Sequence, residues 1–315
     1  VLYLPGRKRR KRMKLRSTGK IADRFYVLGS PDVPVFLLDG AHPALFDAGF
    51  RAFAGLYEQD IGNILFGRAP EYLFLTHGHY DHIGAVSRFK QAWPGLKVVA
   101  HAKTVKILAR QGALRAISDL SREAAHLGGK FGVVEIEEHG FEPFTTDLIL
   151  NPSQMISLEP DLTITALPTP GHTQDAVSYW IPQMKILIAS DAVGNEDERG
   201  YITSEFLVDY DAFCASLEMI SQLNAEILCP GHRLVVTGAP EVRSYLDRCI
   251  EEAVRHLVMV EDFLEREGDD ISRTVARIKA FEWDPVPWPK QPEKAYLLNT
   301  RAKVRTILER KYMRR

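Results

Sequence analysis

Apolar positions along this chain follow two rhythms. Short apolar runs at 25–28, 34–38, 44–46, 72–75, 98–100, 155–158, 162–167, 177–181, 186–189 and 227–229 read as strands. The longer amphipathic stretches 50–66, 82–93, 103–128 and 209–223 read as helices between them. That alternation is the α/β pattern. After about residue 240 the strands stop. Val242, Leu246, Cys249, Ile250, Ala253, Leu257, Val260 and Leu264 recur at helical spacing, which predicts one long helix over 240–267 ended by Gly268. Two further helices are expected at 270–281 and 292–312, separated by the stiff connector W-D-P-V-P-W-P at 283–289.

Composition adds limits. The chain has 315 residues, 45% of them hydrophobic and 26% charged, enough for a large core and typical of a folded soluble protein. No apolar run approaches the length that spans a membrane. The net charge of −1 hides an asymmetry. Residues 7–16 read R-K-R-R-K-R-M-K-L-R, and removing residues 1–12 takes away six of 40 basic residues, leaving 34 against 41 acidic, a net of −7. Residues 1–20 are expected to be a basic, disordered leader, with Met13 as an alternative start. No apolar stretch follows the basic run, so it does not read as a signal peptide. The acidic body argues against nucleic acid as a partner. Cys214, Cys229 and Cys249 lack ligand spacing and read as free thiols of a reducing compartment, which points to the cytoplasm.

The strongest chemical signal is T-H-G-H-Y-D-H at 76–82, directly after the apolar run Y-L-F-L. A loop leaving a strand end can turn His77, His79, Asp81 and His82 toward one point, and imidazole with carboxylate suits a divalent metal. Asp47, His172, Asp191 and His232 each stand just past an apolar run in the same way, on the edge where α/β sheets gather ligands. His172 and His232 share the tripeptide Pro-Gly-His, a tight turn that presents the imidazole. The remaining histidines, His42, His101, His126, His139 and His256, read as ordinary surface or packing residues. Trp283 and Trp288 read as staples of the C-terminal helices, with lining a ligand pocket as the alternative.

This set resembles the metallo-β-lactamase superfamily, whose pattern is H-x-H-x-D-H followed by a His, an Asp and a final His. The resemblance covers about residues 24–235 and implies an αββα sandwich with metals at one edge. It implies that His77, His79 and His172 hold one metal, that Asp81, His82 and His232 hold a second, and that Asp191 bridges them. Asp47 would orient ligands from behind. Asp191 stands where the true β-lactamases carry Cys, so β-lactam hydrolysis is not expected. The segments 28–38, 76–82, 190–194 and 206–218 are similar to the quinolone-signal-response thioesterase branch of that family, which acts on an acyl-CoA. Asn195 stands where an acidic residue is expected in that branch, and is taken as a substrate contact; Asp47 is retained where the branch lacks the acid.

The resemblance therefore implies a hydrolase with two divalent metal ions per chain, zinc or iron with manganese as a further choice. A metal-bridging hydroxide would attack a thioester, with Asp81, Asp191 and Tyr80 as catalytic residues. No acid is evident among the motifs, which favours a thiolate leaving group. Lactone or ester hydrolysis, phosphodiester hydrolysis and a regulatory role that retains the metal site are the alternatives. Residues 21–240 would form the catalytic domain. Residues 241–315 would form a helical extension that covers the active site or serves a homodimer.

Overall fold

The computed structural model describes residues 13–131, 140–151 and 153–313. Two seven-stranded sheets lie face to face. The first runs, in spatial order, Gly19–Ala22, Phe25–Ser30, Val33–Leu38, Ala44–Phe46, Tyr72–Phe74, Lys97–His101 and Leu148–Leu150. The second runs Met13–Leu15, Val235–Thr237, Ile227–Pro230, Ile186–Ser190, Val177–Ile181, Leu162–Pro168 and Met155–Glu159.

Period-two alternation explains why several strands are apolar throughout. In Val33–Leu38, Phe36 and Leu38 join the core between the sheets, while Val33, Val35 and Leu37 face outward under helices. Ile186 and Ile188 likewise point inward, and Leu187 and Ala189 outward. The inner layer is aromatic at its centre, where Phe46 lies 5.5 Å from Phe74 and 5.6 Å from Tyr179. Helices Ala54–Leu65, Val86–Ala92 and Gln111–His126 cover the first sheet. Helices Tyr210–Ser221 and Ala239–Arg266 cover the second, with Ile271–Glu282 and Glu293–Met313 packed beyond them. The αββα architecture is therefore as expected.

Strand direction decides where the strand-end residues meet. Ala44–Phe46 and Tyr72–Phe74 run parallel, and so do Ile186–Ser190 and Ile227–Pro230. Leu162–Pro168 is two antiparallel steps from Ile186–Ser190, so it shares that direction. Asp47, the 76–82 loop, His172, Asp191 and His232 thus all leave the sandwich at carboxyl ends of like-directed strands.

Several expectations need correction. Residues 13–20 are not a disordered leader: Met13–Leu15 pairs with Val235–Thr237, and Gly19–Ala22 pairs with Phe25–Ser30. Residues 1–12, the most basic part of that segment, lie outside the described residues, as does His139. The helix expected at 82–93 is two helices, Tyr80–Ile83 and Val86–Ala92, and that at 103–128 is Ala102–Leu108 plus Gln111–His126. The boundary expected at 240 does not separate two cores. Val242, Leu246, Cys249 and Val260 share one buried cluster with Leu187, Leu228 and Val236 of the second sheet. Among the described residues no helix is long and apolar enough to cross a membrane.

A buried polar knot ties the C-terminal helices together. Glu282 accepts from the Tyr201 hydroxyl at 2.8 Å and the Tyr296 hydroxyl at 3.1 Å, and His256 Nε2 lies 2.6 Å from it. Burial would raise this carboxyl, but Lys303, His256 and the Tyr201 hydroxyl hold it down at about 2. The stabilisation is present above the ordinary carboxyl range and is lost as pH falls toward 2.

Leu246→Ala should destabilise the whole protein by about 2–5 kcal/mol in urea unfolding, because the cavity it leaves lies under the second sheet. Loss of the C-terminal helices alone, with the sheets intact, would contradict a shared core. Glu282→Gln should cost on the order of 3 kcal/mol at pH 7 and clearly less at pH 3, read from urea midpoints at the two pH values.

Candidate metal centre

Asp47 ties the first sheet to the 76–82 loop. It follows Ala44–Phe46 in a left-handed conformation, φ 59°. Its Oδ1 accepts the Thr76 N–H at 2.8 Å, and its Oδ2 accepts the Thr76 hydroxyl and His82 Nδ1–H, each at 2.8 Å. Asp175, which sequence reasoning missed, braces the same loop from the other side. This fully buried carboxylate accepts the Gly78 N–H at 2.9 Å and the Thr104 hydroxyl at 2.8 Å. Its signal was weak, a single acid three residues after His172 with no motif of its own.

Both Pro-Gly-His turns need their glycine. A Cβ on Gly231 would stand 2.1 Å from Asp191 Oδ1. At Gly171, φ is 131° and a Cβ would meet the Phe213 backbone at 2.3 Å. Side-chain-free turns let the two histidines approach the cluster.

Hydrogen bonds behind the imidazoles set their tautomers. His172 Nδ1 donates to the Glu205 carbonyl at 2.7 Å and His232 Nδ1 to the Asp32 carbonyl at 2.8 Å. A carbonyl only accepts, so Nδ1 carries the proton, and in the neutral ring Nε2 faces the interior with its lone pair. His82, with Nδ1–H on Asp47, does the same. Ligand atoms of His77, His79, His172 and Asp191 lie within 4.8 Å of one another, and so do those of Asp81, His82 and His232. His79 Nδ1 is 3.0 Å from both His77 Nε2 and His172 Nε2. Asp191 lies between the groups: Oδ2 is 3.4 Å from His172 Nε2 and 3.7 Å from His82 Nε2, and Oδ1 is 3.7 Å from His232 Nε2.

Metal binding fits this arrangement. His82 Nε2 is buried with no hydrogen-bond partner, which is costly for a polar atom unless something else takes its lone pair. Burial, with neighbouring imidazoles, pushes His77 well below the ordinary range and His79 down to about 4, so both are neutral near pH 7. Burial opposes charge on His82 and His232 too, but the carboxylates of Asp47, Asp81 and Asp191 raise His82 and those of Asp191 and Asp81 raise His232, so a bound cation would take the place of those protons. Burial opposes ionisation of Asp191, but His232, His82 and His172 hold its carboxyl well below the usual range. Nitrogen and carboxylate donors without thiolate suit zinc, iron or manganese.

The cluster opens into a cavity of about 310 Å³ whose wall includes His79, Asp81, Asp191 and His232. Tyr80 lines it while stacking on Phe50 at 5.6 Å. Asn195 lines it too, with Nδ2 3.5 Å from Asp191 Oδ1 and a buried Oδ1 that has no partner. Trp283 is a cavity residue as well as a staple, whereas Trp288 is not among those lining it. Glu205 corrects the expectation that no acid is near. The residue lines the cavity, and burial pushes its carboxyl up to about 7 against the pull of Lys303. Nothing in the sequence around Glu205 marked it.

A family model described as "Metallo-beta-lactamase superfamily" matches residues 31–232. "Beta-lactamase-like protein 2 homolog" of Caenorhabditis elegans is 25% identical over 206 residues, covering 65% of this chain and 57% of that protein. This chain thus spans little more than half of that relative's length. "Acyl-coenzyme A thioesterase MBLAC2" of Gallus gallus is 25% identical over 222 residues, 67% of this chain and 76% of that protein. Among solved structures, a "Beta-lactamase domain protein" from Burkholderia ambifaria superposes with a TM-score of 0.67 at 14% identity, covering 95% of this chain and 88% of the other. At that identity the likeness speaks to fold alone.

Protein purified without chelator should carry close to two equivalents of divalent transition metal by elemental analysis. One equivalent, with His232 turned away from the donors, would sink the two-metal arrangement. Asp47→Asn should weaken metal retention by about 10–100-fold against a competing chelator, because it loosens His82 and the loop behind the donors.

Proposed function

Because the chain belongs to the metallo-β-lactamase superfamily, we propose that it is a dinuclear metal-dependent hydrolase of a small thioester. His77, His79 and His172 would hold one ion, Asp81, His82 and His232 the other, and Asp191 both. When bound, two such ions lower the pKa of a shared water toward neutrality and polarise a carbonyl oxygen.

The chain's own residues then position the substrate. The cavity supports the reading most directly. Val33, Phe50, Leu120, Val286, Ala295 and Leu298 give it apolar wall, and about 310 Å³ suits an acyl group of moderate size rather than a polymer. The Asn195 Oδ1 that lacks a partner is an acceptor for a substrate N–H or for water. Burial pushes the Tyr80 hydroxyl well above its ordinary range, so it stays protonated and available to donate to an acyl oxygen. With Glu205 in the wall, the missing-acid argument no longer separates thioesters from esters. The cavity carries the choice, together with the similarity to a protein named as an acyl-coenzyme A thioesterase. Lactone and ester hydrolysis remain the nearest alternative chemistry. The free thiols, two of them buried, fit a reducing compartment, and we place the protein in the cytoplasm.

Asp191→Asn should lower kcat by about 100-fold or more with an unchanged far-UV spectrum, since the sheet cores do not use that carboxylate. Near wild-type turnover would remove Asp191 from the bridge. Across an aromatic acyl-CoA, an acyl lactone, bis-p-nitrophenyl phosphate and a cephalosporin at equal metal content, the thioester should have the highest kcat/KM. A lead of about ten-fold for the phosphodiester would overturn the thioesterase reading and leave only the hydrolase.

A further inference from the structure

Two cations on the cavity wall, Arg233 and Lys290, have no carboxylate within ion-pair distance among the described residues, although Asp32, Asp197 and Glu282 line the same cavity. Lys290 is 8% exposed; its Nζ donates to the Trp283 carbonyl at 2.9 Å and lies 3.5 Å from the centre of the Trp283 ring. Among the described residues no acidic oxygen is within 4.0 Å of it. Asp284 and Glu293, the acids nearest to it in charge, are both taken by Lys279. Arg233 lines the same cavity, and its guanidinium makes one long hydrogen bond, 3.3 Å to the Pro289 carbonyl. It too has no ion-pair partner within 4.0 Å among the described residues. Asp32, which lines the same cavity, is the strongest charge acting on it from beyond that distance, and Asp197, the next, is occupied by Arg199 and by the Arg199 and Tyr201 N–H groups.

Placement of these cations is enforced. Arg233 holds φ at 73°, a left-handed conformation that a non-glycine residue keeps only where its surroundings dictate it. Its N–H bond of 2.7 Å to the Pro31 carbonyl pins that conformation. It directly follows the metal-donor residue His232, and its contact with Pro289 sets the guanidinium beside the residue that precedes Lys290. Keeping cations out of water without a counter-ion is unfavourable. A guanidinium fork and a point-charge ammonium together match a carboxylate or phosphate.

Resting on the thioesterase reading above, we infer that Arg233 and Lys290 form an anion-binding subsite, so that the substrate is a thioester bearing a carboxylate or phosphate. The anion has two sources, the acyl group or the thiol. The apolar wall takes the uncharged part of the molecule, and the anion lies toward the Asp81–His232 end of the donor cluster. Selectivity for charge is then built into the wall beside the reacting carbonyl.

The test compares S-glutaryl-N-acetylcysteamine, S-pentanoyl-coenzyme A and the neutral S-pentanoyl-N-acetylcysteamine at equal metal content. Wild type should prefer one anionic substrate over the neutral one by about ten-fold or more in kcat/KM, and the one preferred identifies the anion's source. Arg233→Gln and Lys290→Gln should each erase most of that preference through KM, and Arg233→Lys should restore part of it. Lys290 is far in sequence from every metal-donor residue, which separates lost charge from disturbed metal. An equal loss on charged and neutral substrates, or no preference in wild type because Asp32 already serves as counter-ion, overturns the subsite. If no thioester is turned over, the reaction assignment fails, and calorimetry with glutarate and coenzyme A decides the subsite independently. Binding that weakens about ten-fold in both Gln variants supports it, and unchanged or absent binding overturns it.

Discussion

Crowding imidazoles and carboxylates into a space a few ångströms across, away from water, sets the central constraint on this molecule. Each nitrogen facing inward needs its other nitrogen satisfied from behind, or the ring can turn and the lone pair is lost. Carbonyls of Glu205 and Asp32 do this for His172 and His232, and the Asp47 carboxylate does it for His82. Those three acceptors come from three different loops. The strand directions that bring the donors together must therefore also bring their supports, which is why parallel pairing within these mixed sheets matters here.

Short-range pattern made the donors legible. T-H-G-H-Y-D-H concentrates its chemistry within one loop, and the other donors each follow an apolar run, so local reading finds them. Wholly apolar strands such as Val33–Leu38 were visible because both faces are buried. Short edge strands were not: Met13–Leu15 takes its strand state from Val235–Thr237, far along the chain, and Gly19–Ala22, although it pairs with the next strand, carries small and basic residues that give no apolar run. Asp175, Glu205, Arg233 and Lys290 were missed for a related reason. Their importance lies in what they face, and no spacing in the sequence records that.

The C-terminal helices show the limit of reading domains from pattern. A change from strands to helices after residue 240 looks like a boundary. Physically the long helix is the outer layer of the second sheet, since Val242 and Leu246 fill the same core as Leu187 and Val236. What distinguishes the segment is its far end, where Trp283, Lys290 and Tyr296 reach the cavity.

Glu282 belongs to both the helix knot and the cavity wall. Tyr296 donates to it from the last helix while lining the same space. The shape of the cavity is thus coupled mechanically to the cohesion of the bundle. An occupant that fills the cavity without disturbing Tyr296 and Glu282 braces the helices, and its binding energy adds to the resistance of the whole chain to heat. One that pushes those side chains apart must do work against the bundle. Discrimination among molecules of similar size then arises from the elastic response of distant helices, beyond the atoms each molecule touches.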